Sequence, residues 1–141
     1  MTIPEISVIM PAYNAAQYIS PAIKSVLSQS FENFELIIID DGSTDDTPAI
    51  IGSFNDKRII TVQNKTNKGN YGSRNAGIRM SRGKYICVID ADDISLPHRF
   101  ATQLKWFRKN DSIGITGSFG DIIDGTGNFM GEKDANNENH C

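Results

Sequence analysis

The residues best suited to chemistry are three aspartates that follow a run of apolar residues. Residues 85–89 form that run, and Asp90, Asp92 and Asp93 come next, with only Ala91 between the first two. Neighbouring carboxylates repel one another unless water, a cation or a ligand neutralises them. Mg²⁺ and Mn²⁺ suit such a pair, because they accept one or two carboxylates together with phosphate oxygens. A solvated turn with helix-capping aspartates is the alternative interpretation.

Two more polar clusters stand where predicted strands end. The first apolar run, residues 6–10, ends at Pro11-Ala12-Tyr13, because proline cannot donate to a sheet. The second, residues 34–39, is almost unbroken in apolar character, which predicts a central strand, and it ends at Asp40-Asp41. Ligands collect at the carboxyl ends of parallel strands. We therefore expect the three clusters to converge on one edge of a sheet. If residue 90 is still extended, Asp90 and Asp92 also point the same way.

Apolar periodicity predicts the elements that hold these clusters. Helices are expected over residues 18–30, 47–54, 73–81 and 97–109, with Gly77 weakening the third. Further strands are expected over residues 59–62, 85–89 (covered on both faces) and 113–116, with a hairpin formed by residues 121–123 and 128–130. This alternation predicts an α/β fold, a mostly parallel, doubly wound sheet flanked by helices.

Composition narrows the class of protein. The 141 residues are 39% hydrophobic and 22% charged, with a net charge of −3, which predicts one globular domain over residues 1–131 and a disordered polar tail over 132–141. Basic residues are scattered, so no nucleic-acid partner is expected. No apolar run approaches the roughly 18 residues of a membrane span, and no signal peptide is evident. The expected location is cytoplasmic, with the inner face of the membrane left open.

The two cysteines and two histidines of the sequence do not indicate a catalytic or metal-binding function. Cys87 is expected to be a small core residue, and Cys141 ends the chain, so no disulfide framework is predicted. His98 stands beside Pro97 at a predicted helix start and His140 lies in the polar tail, so neither is taken as catalytic.

Four stretches together resemble the N-terminal, nucleotide-sugar-binding part of family 2 glycosyltransferases with the GT-A fold. They run in that family's order across about residues 5–130: ISVIMPAYN (6–14), FELIIIDDGSTDDT (34–47), NKGNYGSRNAGI (67–78) and GKYICVIDADD (83–93). The resemblance implies a metal-dependent, inverting glycosyltransferase of polysaccharide biosynthesis. It would transfer sugar from a nucleotide diphosphate sugar, expected to be a UDP-sugar, to a glycan or lipid-linked acceptor.

The resemblance also implies a nucleotide site. Pro11, Ala12 and Tyr13 match the loop that packs on the base, where the aromatic ring can stack on a pyrimidine. Asp41 matches the carboxylate that accepts the uracil ring N–H, while Asp40 supports the loop. Helix capping by Asp41 is the structural alternative.

The acidic motif carries the remaining implied roles. Asp90, with Ala91, matches the part of the motif near the ribose, and Asp92, together with Asp90, matches the ligands of a Mn²⁺ or Mg²⁺ ion. The cation would grip the diphosphate and stabilise its developing charge as a Lewis acid. Arg74 corresponds to a position from which a guanidinium can reach a phosphate, although an exposed helix arginine is equally compatible.

No catalytic base can be assigned, which keeps other functions open. The family places its base in a later stretch, and Glu132, Asp134 and Glu138 do not resemble it, so the base is expected beyond Cys141 and the chain is expected to end before the acceptor half. A donor-binding fragment or module without transfer activity is therefore an alternative. Association with a membrane surface or a second copy also stays open.

Two rivals from other classes fit less well. A magnesium-binding receiver domain should carry an acidic pair after its first strand, where this chain has Pro11-Ala12-Tyr13. A nucleotidyltransferase should carry a basic, glycine-rich loop at the same place, and the sequence has none there.

Overall fold

The computed structural model describes residues 3–118 and 120–133. Its elements, in chain order, are β1 Ile6–Ala12, α1 Ile19–Leu27, β2 Phe34–Asp40, α2 Thr47–Gly52, β3 Ile59–Gln63, α3 Gly69–Met80, β4 Tyr85–Val88, α4 Arg99–Lys109, β5 Gly120–Ile123 and β6 Phe129–Lys133. The chain divides into two compact units, residues 1–100 and 101–141. No helix among the described residues has the length and apolar character needed to cross a bilayer.

The first unit is built on a four-stranded parallel sheet in the order β3-β2-β1-β4. Every residue of β2 is buried, as expected for a central strand. Helix α1 buries Ile19, Ala22, Ile23 and Val26 at helical spacing, and Leu27, which the apolar periodicity places on the same stripe, is partly buried. The predicted parallel α/β architecture, a sheet flanked by helices, is therefore confirmed.

Strand β1 is longer than predicted, because Pro11 does not end it. Pro11 and Ala12 stay in register with Ile39 and Asp40 of β2. Residues alternate in the neighbour that they bond within a parallel sheet. Ala12 bonds towards β2, since its carbonyl accepts from the Asp41 N–H at 2.8 Å. Pro11 therefore faces the other side, where the pairing with β4 has already stopped, and its missing N–H costs no ladder bond.

Strand β4 differs most from its prediction. It stops at Val88, one residue early, and it lies at the edge of the sheet with Ile86 48% exposed, so it is not covered on both faces. Residues 90–93 form a turn closed by the Asp93 N–H on the Asp90 carbonyl, 3.1 Å apart. Strand alternation therefore does not orient Asp90 and Asp92.

Helix α3 begins at Gly69, four residues before its predicted start. Gly77, which weakened the prediction, is buried where the helix crosses the sheet. A Cβ atom on Gly77 would lie 2.5 Å from Ile9 Cγ2 and 2.9 Å from Ile39 Cδ1. The glycine thus permits a close approach between helix and sheet, while Ile78 and Met80 of the same helix are more than 40% exposed.

The second unit contains the predicted hairpin, in which β5 and β6 pair antiparallel. The strand expected over residues 113–116 is absent, and Ile115 in that stretch is 89% exposed. Strand β6 includes residues 132 and 133, which the sequence had assigned to the polar tail. The rest of that tail, residues 134–141, lies outside the described residues, and so do His140 and Cys141.

Candidate functional site

A cleft of about 470 Å³ opens at the carboxyl ends of the strands in the first unit. The three polar clusters meet there, as expected from a parallel sheet. Seven of the eight residues that the sequence nominated line this cleft: Pro11, Ala12, Tyr13, Asp41, Asp90, Ala91 and Asp92. The eighth, Arg74, does not.

The loop after β1 carries Tyr13, whose side chain is half exposed at the cleft. Asn14 follows it with φ 47°, a left-handed conformation that asparagine adopts more readily than most residues. Two hydrogen bonds fix Asn14 to the loop after β2. Its N–H donates to Ser43 Oγ over 3.0 Å, and its side-chain oxygen accepts from the Thr44 N–H at 2.9 Å.

Two further hydrogen bonds, from the N–H groups of residues 15 and 16, join the loop after β1 to the segment after β2. The Ala15 N–H donates to Thr47 Oγ1 at 2.8 Å, and the Ala16 N–H donates to Asp45 Oδ2 at 3.1 Å. Hydrogen bonds from the Thr47 hydroxyl and from backbone N–H groups lower the pKa of Asp45. The Thr47 hydroxyl and the Asp45 carboxylate therefore brace the loop that carries Tyr13.

Asp41 is nearly inaccessible, at 3% exposure, yet it lines the cleft. Its Oδ1 accepts from Asn64 Nδ2 at 2.7 Å and from the Lys68 N–H at 2.9 Å. Burial alone would raise the pKa of Asp41, but these bonds and others from Ser73 and Gly69 lower it. Asp41 is thus an ionised acceptor at neutral pH. It holds the start of α3 and does not cap α2.

Asp40 is 1% exposed and does not line the cleft. Its Oδ1 accepts from the Ser43 N–H at 3.2 Å, which places this side chain beneath the loop that braces Asn14. Within the described part of the chain, its Oδ2 is buried without a hydrogen-bond partner. The geometry agrees with a loop-supporting position for Asp40.

Hydrogen bonds with Ser25 of α1 and with Gln29, two residues beyond the end of that helix, hold the chain that leaves the acidic turn after β4. Gln29 Nε2 donates to the Leu96 carbonyl at 2.7 Å, and Gln29 Oε1 accepts from the Phe100 N–H at 3.2 Å. Ser25 Oγ accepts from the Ser95 N–H at 2.9 Å. These buried contacts fix the chain that leaves the turn, and they limit how far the turn can shift.

Arg74 contacts one of the acidic residues instead of projecting into the cleft. Its Nη2 lies 2.6 Å from Asp90 Oδ1, and the two side chains are 32% and 45% exposed. Asp92 is exposed on the cleft, and the described residues provide it with no hydrogen bond or ion pair. The two carboxylates are therefore unequal, since Asp90 is paired and Asp92 is open to solvent.

The carboxylates of the cleft could hold a cation that takes its remaining ligands from water and substrate. No group of three or more candidate ligands from histidine, cysteine, aspartate or glutamate exists among the described residues. Asp92 and Asp90 nevertheless line one cleft. Mg²⁺ and Mn²⁺ suit this arrangement, because one or two carboxylates with water and substrate phosphate satisfy them, whereas a closed all-protein site does not form.

Several cleft residues were not recognised from the sequence. The most consequential belong to the start of α3 and the loop before it: Asn67, Asn70 and Ser73. The sequence predicts that this helix begins at Ser73, so Asn67 and Asn70 lie outside the predicted helix. The turn-forming Gly69, with φ 77°, marked the true start. Tyr18 lines the cleft as well, at the residue before α1.

Comparison with known proteins places the chain in a family. The sequence model described as "Glycosyl transferase family 2" matches residues 7–139. An uncharacterised glycosyltransferase of Haemophilus influenzae is 43% identical over 85% of this chain and 38% of its own length. An Escherichia coli protein named UDP-Glc:alpha-D-GlcNAc-diphosphoundecaprenol beta-1,3-glucosyltransferase WfgD is 37% identical over 81% of this chain and 45% of its own length. The chain spans less than half of the length of the first curated relatives that it matches.

The fold is shared with solved glycosyltransferases. The mannosyltransferase PcManGT of Pyrobaculum calidifontis, solved with GDP-Man and Mn²⁺, superimposes with a TM-score of 0.67 and 26% identity over 76% of this chain and 33% of that one. Such neighbours have the GT-A fold. The family match and this likeness exclude the receiver-domain and nucleotidyltransferase alternatives.

Proposed function

The chain belongs to glycosyl transferase family 2, and from this premise we propose that its cleft binds the nucleotide diphosphate sugar, a UDP-sugar, that serves as donor in glycosyl transfer. The observation that carries the proposal is the meeting of three groups in one cavity: the Tyr13 ring, the Asp41 carboxylate and the Asp92 carboxylate. Together they can contact a base, its polar edge and a phosphate-bound cation. A volume of about 470 Å³ lies within the usual range for small-molecule sites.

The base would lie against the loop after β1. Tyr13 presents a half-exposed ring, and stacking of a base on an aromatic ring contributes about 1–3 kcal/mol. Pro11 and Ala12 form the wall beside it, and the small Ala12 side chain leaves room for the ring. Ionised Asp41 can only accept hydrogen bonds, so it favours a base with a ring N–H, such as uracil or guanine. The UDP-sugar donor in the name of an E. coli relative favours uracil over guanine.

The diphosphate and the cation would lie against the acidic turn. Asp92 is the principal cation ligand in this proposal, with Asp90 as the second, and Ala91 keeps the turn small enough for the ribose to approach. Mn²⁺ or Mg²⁺, when bound, supplies Lewis-acid stabilisation of the charge on the leaving diphosphate. The presence of Mn²⁺ in the mannosyltransferase complex supports this choice of cofactor.

For the whole protein we propose inverting transfer to a glycan or lipid-linked acceptor, on the cytoplasmic side of the membrane. The name of the E. coli relative, which contains a UDP-sugar donor and a diphosphoundecaprenol acceptor, supports both partners. Inverting displacement needs a base that takes the acceptor proton. We assign that role to none of the described residues, so donor binding without transfer is the function we propose for this chain by itself.

Calorimetric titration of UDP into the purified chain tests the proposal. We expect binding in Mn²⁺ that weakens in EDTA and that is weaker for GDP than for UDP. Replacing Tyr13 with alanine should weaken binding of both nucleotides, because both lose the stacking surface. A folded chain that binds neither nucleotide with Mn²⁺ would refute the donor site. A preference for GDP would retain the site and change the donor.

A further inference from the structure

The ion pair between Arg74 and Asp90 engages one of the two candidate cation ligands. Arg74 belongs to α3 and Asp90 follows β4, so the 2.6 Å contact links two elements at the rim of the cleft. Both side chains are about a third to a half exposed. Ion pairs at this exposure contribute little to stability. The position of the pair therefore calls for a role other than holding the fold.

The geometry makes the pair reversible. Only Nη2 of Arg74 contacts the carboxylate, through Asp90 Oδ1. Arg74 Nε is buried, and no described residue offers it an acceptor. Two-point contacts between guanidinium and carboxylate are the strong ones, and this contact has a single point. A ligand that competes for Asp90 or for the guanidinium can separate the two groups without dismantling the fold.

The pairing leaves the cleft with one uncommitted carboxylate. Asp92 is exposed, and the described residues form no group of three or more ligands. We propose that Arg74 is a positioning residue that makes cation binding depend on the nucleotide. By holding Asp90, it keeps the nucleotide-free protein from retaining a cation, and the site acquires the cation with the donor, whose diphosphate supplies the missing oxygens. This inference rests on the donor-binding function proposed above.

Replacing Arg74 with methionine tests the inference, because methionine retains an unbranched apolar side chain and removes the charge. We expect the affinity for Mn²⁺ alone, without nucleotide, to rise by about tenfold, since Asp90 is released and an opposing positive charge is lost. The enhancement of Mn²⁺ affinity by saturating UDP should shrink, and by linkage the enhancement of UDP affinity by Mn²⁺ shrinks by the same factor. Both are measured by titrating Mn²⁺ and following the free ion by electron paramagnetic resonance.

Two controls separate this effect from a general change in charge. Arg79→Met makes the same substitution on the same helix, at an exposed residue that does not line the cleft, and should leave Mn²⁺ affinity unchanged. The double variant Arg74→Met/Asp90→Asn should return to the weak Mn²⁺ binding of the wild type. Arg74→Gln, which is smaller and uncharged, repeats the test if the methionine variant fails to fold.

The outcomes distinguish this inference from the proposed function. If the wild type binds UDP with Mn²⁺ but neither Arg74 variant gains Mn²⁺ affinity, the positioning role is wrong and the donor site stands. A gain that persists in the double variant, or that also appears in Arg79→Met, overturns the role as well. If the wild type binds no UDP with Mn²⁺, both proposals fall.

Discussion

The two ends of the parallel sheet use acidic side chains in opposite ways. At the amino end, Glu35 of β2 is buried, and hydrogen bonds surround its carboxylate. They come from Ser7 Oγ at 2.6 Å, and from Arg82 through its N–H and Nε at 2.9 Å and its Nη2 at 2.6 Å. At the carboxyl end, Asp90 has a single ion pair and Asp92 is open. One end is closed to ligands, and the other can still bind them.

In this comparison, the carboxylate oxygens of Glu35 are occupied by donors within the protein, whereas those of Asp92 are left open. Burial alone would raise the pKa of Glu35, but the bonds from Ser7 and Arg82 lower it, so the group stays ionised inside the protein. The backbone also closes around it. A Cβ on Gly83 would lie 2.5 Å from the Ser7 backbone nitrogen, so this corner has no space for a ligand.

Arg82→Met should give the largest effect, and it should be confined to stability. The substitution leaves Glu35 ionised and buried, with only Ser7 and the residue 82 N–H as donors. Loss of one partner from a buried ion pair costs about 3–5 kcal/mol, and we expect about 3 because Arg82 itself is half exposed. Urea unfolding at neutral pH measures the change.

If the two ends of the sheet are independent, Arg82→Met lowers stability without changing nucleotide binding. UDP affinity of the folded Arg82→Met protein should equal that of the wild type, and Arg79→Met, an exposed arginine that precedes it on the chain, should change stability by less than about 0.5 kcal/mol. A large fall in UDP affinity would show that the two ends are coupled.

Asp92→Ala should show the reverse pattern, with intact stability and weakened binding. Loss of the principal cation ligand is expected to cost about 2 kcal/mol of UDP binding in Mn²⁺, or ~30-fold, and to bring affinity to the level seen in EDTA. Unfolding should be unchanged, because the side chain is exposed and the described residues make no bond to it.

A matched change elsewhere checks Asp92→Ala. Asp111 is also exposed, and it does not line the cleft, so Asp111→Ala should leave both affinity and stability as they are. If the UDP affinity of Asp92→Ala equals that of the wild type, the assignment of the acidic motif to the donor site is wrong.

Asn14→Ala should have a smaller effect on the loop that carries Tyr13. Alanine loses the acceptor for the Thr44 N–H, and it must adopt φ 47°, which together cost about 1 kcal/mol. We expect UDP affinity to fall ~5-fold in calorimetry. Asn14→Gly also loses the side-chain acceptor, but glycine adopts φ 47° without strain. Its UDP affinity should therefore lie between those of the alanine variant and the wild type. Equal losses for the two variants would mean that the φ angle is irrelevant.

The architecture was predictable because unbroken apolar runs and helical stripes locate the core. Strand β2 and the buried stripe of α1 are examples. Sequence patterns gave wrong strand ends or wrong burial where these depend on neighbouring strands. Pro11 continues β1 because its neighbour strand has ended, and β4 is half exposed because it is an edge strand, which apolar character alone cannot reveal.

The site was predictable in outline because parallel strands bring their carboxyl ends together. Seven nominated residues reach the cleft for that reason. The pairing of Arg74 with Asp90 was not predictable, because it depends on how α3 approaches the turn after β4. That approach is set by Gly77, whose missing side chain was counted as a weakness of the helix and not as a packing device.

The smallest expected effect is the pH dependence of stability that arises from Glu35, and it tests the contrast between the two ends of the sheet. The pKa of Glu35 is lowered from 4.5, so its ionised form stabilises the fold above that value, and the contribution is lost as pH falls through the lowered pKa. Glu35→Gln should therefore be less stable than the wild type near pH 7, and the stability difference between the two should vanish as pH falls below the lowered pKa of Glu35. The control Glu32→Gln, at an exposed site, should follow the wild type throughout. If the stability difference between Glu35→Gln and the wild type does not depend on pH, the carboxylate charge is not what stabilises the amino end, and the contrast with the open cleft would then rest on shape alone.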